Sequence, residues 1–151
     1  MPDGLDDLYQ EIILDHYRHP RNKGLLADAD LQAEGYNPFC GDQVRLTMDL
    51  DESGHVHKVG FDGQGCSISQ ASASILTKLV KGRSVDEVQG LVATVRRIMQ
   101  GADMTDEQKD ELGELEALEG VKKFPIRVKC ALLPWTTLQD AVSEYRKTHA
   151  Q

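Results

Sequence analysis

Leu5, Leu8, Tyr9, Ile12, Ile13 and Tyr17 recur at three- and four-residue spacing, which draws one apolar face on a helix. Pro20 and the following RNKG end it. A weak strand is expected in ADLQAEGY, and a better one after Asp42, where Val44, Leu46, Met48 and Leu50 alternate with Arg45, Thr47 and Asp49. DESG turns the chain and HVHKVGFDG closes an antiparallel hairpin. GQG then delivers Cys66 to the start of a helix whose buried side is Ile68, Ala71, Ile75, Leu76 and Leu79, with Gly82 at its end. Ser84 with Glu87, and Thr105 with Gln108, have capping-box spacing, so a helix is expected after each. Gly120 is expected to end the second of these segments. Leu138, Ala141, Val142 and Tyr145 share a face of the last helix. Pro134 is expected to be tolerable only in a first helical turn, which places Cys130 at or just before that helix's start. A helix, a hairpin-rich sheet and then helices make an α+β fold, a small antiparallel β-sheet packed against several α-helices. No repeat or linker interrupts it, so residues 1–151 read as a single domain.

The net charge of −8 argues against a nucleic-acid or membrane-surface binder, which needs a basic face. Most of the acid lies in GADMTDEQKDELGELEALEG, which reads as a solvated helical face. No apolar run is long enough to span a bilayer, and MPDGLDDLYQ lacks the apolar core of a signal peptide. These features point to a cytoplasmic protein. Three cysteines in a reducing compartment favour metal binding or reactive thiols over disulfides.

Each cysteine falls at a junction: Cys40 before a strand, Cys66 between a strand and a helix, Cys130 at the final helix. Junctions at one end of a sheet can converge. Asp42, two residues from Cys40, can add a fourth ligand, and three thiolates with one carboxylate suit tetrahedral zinc. Helix N-termini steady thiolates, which fits Cys66 and Cys130. The competing reading is that isolated cysteines are small buried hydrophobes, and no close C-x-x-C pair is present. Gly41, Gly63 and Gly65 favour a site, because they leave backbone bare beside the thiols. Other candidates are weaker. His55 and His57 flank a turn and read as a solvated edge. His16 and His19 read as a surface pair. Ser69, Ser72 and Ser74 have no partnered base and read as small packing residues. GFDGQG lacks the ending of a phosphate loop.

YQEIILDHYRHPRNKG, NPFCGD, FDGQGCSISQASAS and FPIRVKCALLPW together resemble the IscU/NifU N-terminal family of iron–sulfur assembly proteins. Within it they are similar to the SufU type. Lys129 stands where IscU-type scaffolds carry a histidine, and the acidic segment fills the place of the stretch that SufU-type proteins insert before the third cysteine. The resemblance implies that Cys40, Asp42, Cys66 and Cys130 hold a zinc ion. It further implies a sulfurtransferase-like role, accepting persulfide sulfur from a SufS-type cysteine desulfurase and passing it to the SufBCD complex. The alternative is a scaffold that carries a transient iron–sulfur cluster on the same residues, since thiolates bind both. A purely structural zinc module fits less well, because such sites usually avoid a carboxylate. Arg127 matches the family's arginine and, with Lys129, can offset the site's negative charge. Cys40 is the expected sulfur acceptor. It stands in a turn beside Gly41, whereas the other two thiols belong to helices.

Overall fold

The computed structural model describes residues 7–38 and 41–149. Helix α1 (Asp7–Arg18) leads into β1 (Leu31–Asn37), β2 (Asp42–Leu50) and β3 (Val56–Gln64). Then come α2 (Ser67–Val80), α3 (Val85–Met99), α4 (Asp106–Leu112), a 3-10 segment (Gly113–Lys123) and α5 (Pro125–Thr148). The strands form one antiparallel sheet in the order β1-β2-β3. Val44, Leu46 and Met48 of β2 are buried, as the alternation requires. They meet Val59 and Phe61 of β3 and the core beneath. The fold is the expected α+β arrangement, and both capping boxes form. Among the described residues, no helix is long and apolar enough to cross a membrane.

Helix α5 organises the core. It packs on β1, β2, α2, α3 and the 3-10 segment. Its approach to β1 is so close that a Cβ on Gly35 would lie 1.9 Å from Thr137 Oγ1. The junction with α2 is polar inside an apolar core. Ser72 Oγ donates to Ala131 O at 2.6 Å and accepts from Trp135 Nε1 at 3.0 Å. Ser72 is therefore more than a small packing residue, since it satisfies the indole N–H of a fully buried tryptophan.

Three expectations need correction. The last helix starts at Pro125, not near Pro134, so Cys130 lies in its second turn. Pro125 takes the first-turn position that suits proline, and Pro134 sits inside the helix. An interior proline costs about 3 kcal/mol, and packing on five neighbouring elements overrides that. The acidic segment is not simply a solvated face. Leu112, Leu115, Leu118 and Val121 recur every third residue and are all buried. That spacing matches the three residues per turn of a 3-10 helix, which runs through Gly120 to Lys123.

The third correction concerns His16, which is wholly buried. Its Nδ1 lies 2.7 Å from Ser74 Oγ. Its Nε2 lies 3.0 Å from Glu114 Oε1 without the alignment of a hydrogen bond. Glu114 comes from the 3-10 segment and also pairs with Lys78 of α2, so this cluster ties the segment to two helices. Burial holds the His16 pKa below its ordinary 6.5, although Glu114 pulls the other way. The unfolded chain then binds the proton more readily than the folded one. Stability rises with pH between the depressed folded value and 6.5, and falls on acidification through that window. The melting temperature is expected to drop there, with a shallower slope in a His16→Gln variant. Equal slopes would assign the pH dependence to other groups.

Candidate metal centre

The site is assembled where the sheet meets two helices. Asn37 and Asp42 form the last ladder pair of β1 and β2, so residues 38–41 connect the two strands. Cys66 stands at the N-cap position of α2 in extended conformation. Cys130 faces the same place from α5. The ligand atoms of Asp42, Cys66 and Cys130 lie within 4.8 Å of one another. Asp42 and Cys130 are fully buried and Cys66 is partly exposed. The structure thus brings together three of the four expected ligands, and Cys40 lies outside the described residues.

Asp42 is held by the protein through one oxygen and offers the other. Its Oδ1 accepts from the backbone N–H of Cys66 at 2.8 Å, and its Oδ2 lies 3.7 Å from Cys66 Sγ. That geometry depends on Gly65, which has φ +145°. A Cβ there would lie 2.1 Å from Asp42 Oδ1. Gly65 therefore serves close packing against the carboxylate rather than open access, whereas among the described residues a Cβ on Gly41 would meet nothing within 4 Å. Gly65→Ala is expected to cost about 1–3 kcal/mol of stability. It should also displace Asp42 and loosen metal binding about tenfold, read by thermal melting and by zinc competition. Unchanged zinc retention would contradict this role.

Around the sulfurs stand neutral polar groups whose role the sequence motifs do not reveal. Ser69 Oγ is 3.8 Å from Cys66 Sγ and bonds Cys66 O at 3.1 Å. Asn37, only 7% exposed, places Nδ2 4.0 Å from Cys130 Sγ. In the sequence Ser69 reads only as a small helix residue and Asn37 only as part of the NPFCGD motif, because their roles come from tertiary contact. Arg127 is half-buried in the first turn of α5. It stands three residues before Cys130 and so shares its side of the helix. Lys129 is exposed.

The donor set fits zinc. A tetrahedral ion with bonds of about 2.3 Å to sulfur has ligand–ligand edges of about 3.8 Å. Three donors already within 4.8 Å need little movement to reach that. Two soft sulfurs and a carboxylate suit Zn²⁺, and thiolates also suit iron.

Comparison with known proteins agrees with this geometry. The model of the NifU-like N terminal domain matches residues 8–131. The zinc-dependent sulfurtransferase SufU of Bacillus subtilis (strain 168) is 45% identical over 140 residues, covering 93% of this chain and 92% of that protein. The iron–sulfur cluster assembly scaffold protein IscU of Streptococcus pyogenes serotype M1 is 38% identical, covering 97% of this chain and 89% of that one. The crystal structure of FiSufU from Fervidobacterium islandicum AW-1 has a TM-score of 0.80 at 33% identity, covering 87% of this chain and 94% of that one. A match that runs from α1 into α5 and takes in the whole thiol-bearing region leaves one conclusion: the chain belongs to the NifU-like N-terminal domain family.

Proposed function

We propose that the protein is a zinc-dependent sulfur carrier of iron–sulfur cluster biogenesis, with Cys40, Asp42, Cys66 and Cys130 as the metal site and Cys40 as the sulfur acceptor. The observation that carries this reading is the convergence of Asp42, Cys66 and Cys130 within 4.8 Å. Covalent reach adds Cys40: two peptide units bring its Cα within about 7.6 Å of that of Asp42. The name of the Bacillus subtilis relative supports zinc and sulfur transfer.

Bound zinc supplies one thing here, thiolates that stay deprotonated at neutral pH. The chain's own residues do the rest. The Cys40 thiolate attacks the terminal sulfur of a cysteine persulfide on the donor. A sulfur–sulfur bond to Cys40 forms as the donor's own sulfur–sulfur bond breaks, and the donor cysteine leaves as a thiolate. No electrons are gained or lost overall. Cys66 and Cys130 are fixed on helices and remain in place, and Arg127 offers positive charge on the side of Cys130. This chemistry requires a persulfide donor; a SufS-type cysteine desulfurase as donor and a SufBCD-type complex as receiver are the partners that the sequence resemblance implies. Ile126, 69% exposed and one turn before Cys130, offers such a partner an apolar contact.

The test is desulfurase turnover with cysteine as sulfur source. The zinc-loaded protein should raise it, and the chelated protein should not. The second reading, a scaffold holding a transient iron–sulfur cluster, is favoured by the name of the Streptococcus relative. It predicts a coloured cluster on these residues and no effect on turnover, and that outcome would replace the sulfur-carrier reading.

A further inference from the structure

We propose that Asn37 is a positioning residue of the metal centre, whose side-chain amide donates a hydrogen bond to the Cys130 sulfur and holds that thiolate in place as a retained ligand. This rests on the metal-site reading above. The amide is buried, its Nδ2 is 4.0 Å from Cys130 Sγ, and Cys130 is itself wholly buried on α5. Cys130 Sγ also lies 3.8 Å from Ile126 O. A metal-bound thiolate has no proton to give that carbonyl and can only accept. An N–H aimed at the sulfur suits the bound state, as groups surrounding a metal site orient its ligands.

Register gives the contact its wider meaning. Asn37 is the ladder partner of Asp42, and Asp42 Oδ1 takes the backbone N–H of Cys66 at 2.8 Å. The two feet of the connection 38–41 are therefore tied to the two helix-borne thiols, Asn37 to Cys130 and Asp42 to Cys66. The connection between them carries the third thiol. Asparagine suits the first foot for a chemical reason. Aspartate has the same shape, but it cannot donate when ionised, and it would add negative charge to an anionic site.

The test uses the full chain loaded with Co²⁺ in place of zinc, together with zinc competition against a chelator. Losing an N–H donor raises the energy of the sulfur lone pairs. Asn37→Asp should therefore move the sulfur-to-cobalt charge-transfer band to longer wavelength and weaken zinc retention roughly tenfold. Asn37→Ala should shift the band in the same direction, which keeps the question open to measurement if the aspartate variant does not fold. A folded Asn37→Asp protein with the wild-type band and wild-type zinc retention would overturn the assignment, since a role of shape alone survives this isosteric change. The spectrum needs no desulfurase, so it tests the Asn37 contact even in a protein that proves to carry no sulfur.

Discussion

Replacing Cys40 with alanine is expected to abolish stimulation of the desulfurase, a loss of at least about a hundredfold, while the chain stays folded and keeps part of its zinc affinity. The reasons are structural. Among the described residues, the core is built by α5 on the sheet and on α2. Asp42, Cys66 and Cys130 remain as three donors within 4.8 Å. What disappears is the proposed nucleophile. Turnover with the purified zinc-loaded variant measures this, with zinc content and circular dichroism as controls. A Cys40→Ala protein that still stimulates the desulfurase would show that another thiol takes the sulfur.

Removing either helix-borne thiol should act the other way, on the metal and the fold together. Cys130→Ala and Cys66→Ala each delete a soft ligand, and zinc affinity is expected to fall by more than a hundredfold. The melting temperature should then approach that of the chelated wild type, because a metal bound only to the folded state stabilises it by mass action. Cys130→Ala should be the more harmful, since its side chain is fully buried and its loss leaves a void. Asp42→Asn should do much less. Its side-chain oxygen can still accept from the Cys66 N–H, and both thiolates remain, so a loss of about tenfold in zinc affinity is expected. Zinc titration with a competing chelator separates these cases. Equal zinc loss in Asp42→Asn and Cys130→Ala would mean that the carboxylate is as important a ligand as the thiolates.

The sheet was legible in the sequence because period-two alternation in β2 has one physical meaning, a strand with one face buried. Both capping boxes were legible because three-residue spacing of their partners is local chemistry. The start of α5 was not. Pro134 argued for a helix beginning there, and only packing on both sides explains why an interior proline is kept. The burial of the acidic segment was not legible for a different reason. Its charges suggested solvent, while Leu112, Leu115, Leu118 and Val121 carried a period of three that was open to view. His16 looked like a surface residue because its partners, Ser74 and Glu114, lie far away in sequence. The site itself was half legible. Cysteine and aspartate identities proposed it, and the resemblance of four motifs strengthened the proposal. The Asp42 contact to the Cys66 N–H and the Asn37 contact to Cys130 needed the β1–β2 register and the α5 placement.

In the proposed function a sulfur acceptor sits in the connection between two strands whose feet are tied to the thiols that stay behind. Mass spectrometry of the zinc-loaded protein, after brief incubation with a cysteine desulfurase and cysteine, tests it most directly. Proteolysis under non-reducing conditions locates the added sulfur on a peptide. The extra sulfur is expected first on Cys40, with Cys66 and Cys130 unmodified. Sulfur found mainly on Cys66 or Cys130, with Cys40 unchanged, would contradict it.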